Sequence, residues 1–515
     1  MALASENGME REQSSNRRIA KNTLALYVRM FLTMVVGLYT SRVVLATLGV
    51  EDYGVYGVVG GITSMLGFLN ASMSGATSRF LTFELGRGDK KRLENTFSSA
   101  MIVHMGIAAV VLVLAETVGL WFLCHKLVIP PERMTAAHWV YQLSILSSML
   151  AITQVPYNAT IIAHENMNVY AYVEILNSVL KLLIVYLLTI GDFDKLILYA
   201  VLMLAVSVTV MMTYRIYCVR HYSEAHFHWV WDKTYLKPLL SFFGWNIYGN
   251  FGSIASSQGI NFVINAFLGV AVNAAVGIAT TVSGIVNMFA SNAMMAFRPQ
   301  ITKLYAKGDV LEMQRLTRLA FKIISFLYLV VAIPVFLECE FILSVWLVKV
   351  QQYAVVLCQT ILISIFFEIL RYIVIINIHA SGNVRFVSAA SGTLLSLTPF
   401  ALYVLFLAGY SVKYTYLFLA MTNLCLLVIN LVILKHNIPA IKISAYCLEI
   451  FKMISVGIIV VVIALALKTM LNSGWTDFLV TTMFSVLLMT LLFVGLCLNS
   501  SQRVAVLDAI RSRLN

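Results

Sequence analysis

Apolar runs of about twenty residues recur from residue 20 almost to the end of this chain, each long enough to cross a hydrocarbon core of about 30 Å. Within such a core every backbone N–H and C=O must be satisfied by the chain itself, which leaves helices or closed barrels. The runs are continuous and do not alternate, so they predict helices. Composition agrees: of 515 residues 60% are hydrophobic and 12% charged, too few polar groups to cover an aqueous surface.

The pattern predicts spans at 20–47, 55–80, 97–123, 139–163, 169–190 and 196–218, then 241–268, 275–299, 316–337, 353–379, 384–408 and 414–434, and finally 450–471 and 478–498. The expected fold class is an all-α polytopic membrane protein of about 14 transmembrane helices. Its expected parts are a disordered cytoplasmic N-terminus (1–18), a first six-helix lobe (19–218), a cytoplasmic linker (219–240), a second six-helix lobe (241–434), two further helices (435–498) and an amphipathic cytoplasmic tail (499–515). Residues 456–467 carry no polar side chain, so that helix is expected to face lipid outside the working core.

A repeat underlies the two lobes. Leu48, Gly49, Val50 and Gly57 recur at Leu268, Gly269, Val270 and Gly277, an offset of 220. The same offset carries Gly88-Asp89 onto Gly308-Asp309, each in a short charged loop after an apolar run. Duplicated membrane units are a recurrent transporter architecture, with cargo bound between the halves.

The net charge of +12 is distributed by topology and gives no argument for nucleic acid. Arg17, Arg18 and Lys21, then Arg87, Lys90, Lys91 and Arg92, then Arg220, Lys233 and Lys237, then Lys303, Lys307, Arg315 and Arg318 occupy alternate loops. Positive loops stay cytoplasmic, so both termini are expected inside. The seven cysteines show no ligand spacing and are read as structural. No loop is long enough for a folded catalytic domain, and no histidine–carboxylate cluster suggests a metal; a transporter without cofactor or metal is expected, not an enzyme.

Polar residues gather on single faces of several spans. Asn22, Arg29, Thr33 and Thr40 share a face of the first, and Thr63, Asn70, Ser74 and Thr77 one of the second. Ser147, Gln154 and Asn158 do so in the fourth; Asn246, Asn250, Ser253, Ser257 and Asn261 in the seventh; Thr280, Ser283, Asn287, Ser291 and Arg298 in the eighth. Isolated pairs of such residues glue helices together. Continuous stripes on repeat-related helices favour a water-filled cavity between the lobes.

A charge at a helix centre costs about 2.5–3.5 kcal/mol on insertion scales, so each needs a reason. Arg29 and Arg298 share the polar faces and are the leading candidates for an anionic group, since a guanidinium offers a planar fork to phosphate or carboxylate. Arg42 lies near the outer end of the first span, and Arg79 beside a cytoplasmic loop. Glu174 with Lys181, and Glu368 with Arg371, have the spacing of structural pairs, while Glu116 has no evident partner; Glu116, Glu174 and Glu368 are the candidates for coupling to an ion. Pro156, Pro334 and Pro399, with Gly244, Gly249, Gly252 and Gly259, mark helices able to bend.

With those residues set out, the chain resembles a known family. S-R-V-V-L-A-T-L-G-V-E-D-Y-G-V-Y-G after the first span, G-R-G-D-K-K-R after the second, P-Y-N-A-T-I-I-A-H-E-N-M closing the fourth and I-H-A-S-G-N-V-R closing the tenth look like Wzx-type flippases of O-antigen and other polysaccharide units, in the multidrug/oligosaccharidyl-lipid/polysaccharide exporter superfamily. The likeness covers roughly residues 17–500. It implies a MATE-like bundle of two pseudo-symmetric six-helix lobes, alternating access, and export of undecaprenyl-diphosphate-linked oligosaccharide across a bacterial inner membrane. It also implies cationic cavity residues, with Arg29, Arg42, Arg79 and Arg298 at suitable places, a lipid-tail groove at the last two helices, an H⁺ or Na⁺ counter-ion, and a polymerase and glycosyltransferases as pathway neighbours. The second lobe departs from the motif: Ala271 and Val272 stand where the first has Glu51 and Asp52. Alternatives are a cation-coupled multidrug exporter of the same superfamily and a membrane glycosyltransferase or polymerase.

Overall fold

The computed structural model describes residues 22–37, 39–40, 43–44, 47–49, 52, 55–56, 59, 67–125, 129–188, 193–347, 350–471, 474–499 and 502–503. The N-terminal segment 1–18, Arg42, Glu51, Gly57 and the tail beyond 503 lie outside the described residues.

All regular structure among the described residues is helical. Among the described residues ten helices are long and apolar enough to cross a membrane. They are built from α3 (Lys90–Leu114, continued by a π turn into α4, Leu120–His125), α5 (Met134–Ala163), α6 (Met167–Leu187), α7 (Lys195–His221), α9 (Val310–Leu337), α11 (Ala354–Ser381), α12 (Arg385–Leu407), α13 (Thr415–Asn437), α14 (Ile443–Lys468) and α15 (Trp475–Leu492). The remaining predicted spans correspond to α1 (Asn22–Gly37), α2 (Gly67–Arg87) and the two limbs of α8 (Lys233–Ala306), which is broken at Gly269; α10 (Cys339–Trp346) is a short helix after α9.

The repeat seen in sequence is a repeat of backbone. Gly49 and Gly269 adopt φ of 80° and 76°, and Gly88 and Gly308 both 77°, left-handed conformations that glycine reaches without Cβ strain. Asp89 and Asp309, one residue on, cap the following helices alike: each carboxylate accepts from the amide three residues ahead, at Arg92 and Glu312. One glycine ends a helix and the next aspartate starts another, in both halves.

The chain divides into two compact units, between Ile247 and Tyr248 within the first limb of α8. In the first unit, Phe97, Tyr157 and Tyr214 sit in a core between α3, α5, α6 and α7, and Tyr141, Leu123 and Leu196 in a second. The π turn Ala115–Gly119 leaves the Ala115 carbonyl able to accept from Tyr141 Oη at 2.7 Å. Arg133 joins three segments: it donates to Asp52 through Nε and Nη2, both at 2.7 Å, and to Asp194, the N-cap of α7, through Nη1 at 2.7 Å. Asp52 belongs to the motif that the second half lacks, which gives the departure at Ala271 and Val272 a physical meaning: the clamp belongs to the first unit.

In the second unit α11 is the central helix, with two thirds of its apolar window buried. The first limb of α8 packs on α12 through small residues. A Cβ on Gly252 would lie 2.6 Å from Gly392, and one on Gly259 2.4 Å from a Pro399 carbon, so those backbones touch. Three of the glycines read as bending points, Gly249, Gly252 and Gly259, thus face α12; only Gly244 has open space around it.

The last helices are not outside this unit. α14 buries Tyr446, Glu449, Met453, Val456, Val460 and Ala464, a stripe at helical spacing, while Ile458, Val462 and Ile463 stay exposed. Ion pairs with buried carboxylates join it to α9 at two levels. Glu449 Oε1 lies 2.8 Å from Arg318 and 3.8 Å from Lys322 Nζ, and Lys468 Nζ lies 2.9 Å from Glu338. Numbers rise together along both helices, so they run parallel. The apolar run 456–467 led to the expectation of a lipid-facing helix outside the working core; one face is exposed, and the other packs on α9 beside the charges that flank the run.

Candidate functional site

α11 carries Ser364, Glu368 and Arg371 at i, i+4 and i+7, one face of a helix. All three line a cavity of about 220 Å³ that lies wholly within the second unit. The first limb of α8 contributes Ser253, Ser256, Ser257 and Asn261, its second limb Thr280, and α13 Tyr416 and Asn423. Ile260, Ile361, Ile365, Leu395 and Leu419 form the apolar remainder.

The polar groups here are held in place but not used up. Arg371 is 4% exposed; its Nη1 donates to Ser391 Oγ at 3.2 Å, and its Nε has no partner. Asn423 donates to Ser364 Oγ at 3.3 Å through Nδ2, which leaves its Oδ1 unmatched, as is Ser256 Oγ. An unmatched buried polar atom costs about 1–3 kcal/mol, so Arg371 Nε, Asn423 Oδ1 and Ser256 Oγ are the atoms that a water or a guest would satisfy here. Sequence spacing suggested an ion pair between Glu368 and Arg371; none forms, because the guanidinium reaches across to α12. The two charges instead share the cavity wall.

Other predicted residues fall in several places. Asn261 is in this cavity. Arg298, on the second limb of α8, donates to Tyr372 Oη at 3.1 Å, with its guanidinium 5.9 Å from the ring centroid. Tyr372 follows Arg371 on α11, so two arginines attend adjacent positions of that helix. Asn287 accepts a hydrogen bond from Ser291 Oγ through its carbonyl, Asn250 is exposed, and Asn246 is buried just before the division between units.

In the first unit the Arg29 guanidinium lies 5.2 Å from the centroid of Tyr170 on α6. One turn on, Glu174 accepts from the buried Tyr214 Oη at 3.2 Å. No ion pair joins Glu174 to Lys181, against the expectation from their spacing; a phenol across the α6–α7 contact takes that place. Arg79 is buried among Phe80, Phe83 and Phe242, at 4.6, 4.7 and 6.0 Å from the ring centroids, an aromatic cage in place of an open binding position. Glu116 is half-buried and accepts from Gln142 Nε2 at 3.2 Å, so it does have a partner. Asn70 lies in α2, its side chain outside the described residues, as is all of Arg42.

Sequence reasoning missed Ser256, Ser364, Tyr416 and Asn423, and treated Arg371 as structural. Its usable signal was the Ser364–Glu368–Arg371 spacing in an otherwise apolar span. Among the described residues no group of His, Cys, Asp and Glu side chains could hold a metal ion.

No family model and no curated protein matches the chain. Solved structures do match. A MATE transporter in its bent conformation superposes with a TM-score of 0.72 at 12% identity, over 84% of this chain and 97% of its own. An outward-facing multidrug resistance MATE family transporter of the MOP superfamily gives 0.71 at 12% identity, over 83% and 97%. A MOP superfamily transporter from Pyrococcus furiosus gives 0.68 at 12% identity, over 82% and 96%. At such identities likeness establishes architecture alone: this chain is an all-helical, multi-pass membrane protein with the MATE-like fold of the MOP superfamily structures it matches.

Proposed function

We propose that the chain is an alternating-access flippase that moves undecaprenyl-diphosphate-linked oligosaccharide from the cytoplasmic to the outer leaflet of a bacterial inner membrane, with both termini cytoplasmic. The observation that carries this reading is Arg371, a buried guanidinium with a free Nε on a largely apolar cavity inside the membrane-spanning part. A buried cation without a carboxylate in contact is costly, and an anionic headgroup offsets that cost where a cationic drug would add to it. A second arginine, Arg298 of α8, meets α11 one residue further on, at Tyr372. One protein of this fold, that from Pyrococcus furiosus, is described as having a binding pocket of reverse polarity that suggests a different function, a precedent for changed cargo on one scaffold. Export of a diphosphate also runs with a negative-inside potential, worth about 2.3 kcal/mol per charge per 100 mV.

Glu368 in the same cavity favours a second reading, a multidrug exporter coupled to H⁺ or Na⁺, as does the multidrug MATE transporter among the fold's neighbours. The two readings are separable. Under the first, Arg371→Ala abolishes surface polysaccharide with the protein still inserted, Arg371→Lys retains part of it, and drug accumulation does not change. Normal polysaccharide in Arg371→Ala cells, or a drug phenotype in Glu368→Gln cells, sends the assignment to the rival.

A further inference from the structure

The segment joining α7 to α8 is fastened to the rest of the first unit at two points, one before an exposed aromatic row and one within it. At the first, His164, at the end of α5, pairs with the buried Glu224 at 2.5 Å, and Asn166 donates to Tyr222 Oη at 2.6 Å. At the second, His228 bonds Ser98 Oγ and Asn95 Oδ1 of α3, both at 3.0 Å. Between and beyond these ties, alternate residues Phe227, Trp229 and Trp231 are 39%, 70% and 70% exposed. Phe227 and Trp229 meet edge to face with centroids 6.5 Å apart, so they share a side.

Three large aromatics exposed in a row would be an aggregation liability in water. Here they lie within eleven residues that link the ends of two long apolar helices, and at the end of a membrane helix an indole can rest its ring on acyl chains and its N–H on headgroups. Exposed Arg215, Arg220, Lys233 and Lys237 flank the row, while of the local acids Glu224 is paired and Asp232 bonds the Thr234 amide at the start of α8. We infer that residues 227–231 form a membrane-surface anchor, seated in the headgroup layer of an anionic leaflet and holding the first unit at fixed depth. Its occupant is lipid, and this does not depend on what the protein carries.

The test uses the full chain in nanodiscs of phosphatidylcholine with or without phosphatidylglycerol. The tryptophan emission lost in Trp229→Phe/Trp231→Phe isolates the contribution of those two indoles from that of the other five tryptophans. A nitroxide on the lipid headgroup is expected to quench that component several-fold more strongly than aqueous acrylamide, and the difference is expected to grow with phosphatidylglycerol and shrink in Lys233→Gln/Lys237→Gln. Stronger quenching by acrylamide overturns the inference and gives the row to a water-borne partner. Quenching by neither overturns it in favour of a protein cover. Should the double variant misfold, Trp229→Phe alone carries the same comparison.

Discussion

Arg371 and Asp194 show how the same fold treats two charges differently. Arg371 is enclosed and only half matched, whereas Asp194 is a third exposed and over-supplied with donors. Burial raises the Asp194 carboxyl, but the hydrogen bond from Arg133 and the amides of Ile197 and Leu196 outweigh it and hold the group below the usual carboxylate range. A carboxylate lowered by folding stabilises the native state above about pH 4 and ceases to as pH falls through the folded value. Asp194→Asn, which keeps a capping oxygen, is therefore expected to destabilise the detergent-solubilised protein at pH 7 by less than about 1 kcal/mol given the exposure, with the gap to wild type closing as pH falls below the usual carboxylate range. A gap independent of pH would assign the loss to packing. Neither behaviour was legible from composition. Arg133 and Asp52 are 81 positions apart, and only folding brings the guanidinium between two aspartates.

At the scale of helices, periodicity was legible and partnership was not. The run Asn246 to Asn261 suggested one wet face; the adjoining glycines of the same limb proved to be a dry seam against Ser388, Gly392 and Pro399. Spacing fixes which residues share a face and says nothing about whether that face meets water or a neighbouring backbone. The seam predicts a contrast between two identical substitutions. Gly252→Ala forces α8 and α12 apart, since its Cβ would stand 2.6 Å from Gly392, and is expected to cost about 1–3 kcal/mol of thermal stability. Gly244→Ala, with nothing within 4 Å, is expected to be neutral or to stabilise by up to about 1 kcal/mol through helix propensity. Equal midpoints for the two variants would argue against close packing as the reason for these glycines.

At the scale of the molecule, the two parallel ion-pair levels on α9 and α14 give the second unit a ruler. Arg318 to Glu338 and Glu449 to Lys468 each span about 30 Å of helix at 1.5 Å per residue, the thickness of a hydrocarbon core. The charged levels therefore mark its two edges, and the apolar face Ile458 to Ile463 lies between them. The edges differ in sign balance: Arg315, Arg318, Lys322, Lys442 and Lys452 cluster at the first, and Glu338 and Glu340 face a single Lys468 at the second. By the positive-inside rule the first edge is expected to be cytoplasmic, which would put residues after Lys468 outside. Met470, 82% exposed two residues beyond that level, reports the side directly. In intact cells a membrane-impermeant maleimide is expected to label Met470→Cys above the wild-type background, whereas the native exposed Cys447, near the Glu449 level, is expected to react only after permeabilisation. Labelling in the reverse order would invert the expected orientation and would argue against the proposed direction of export. A third variant, Val462→Cys, is expected to stay unlabelled from either side; its reaction would mean that the two ion-pair levels do not bracket the hydrocarbon and that α14 borders water.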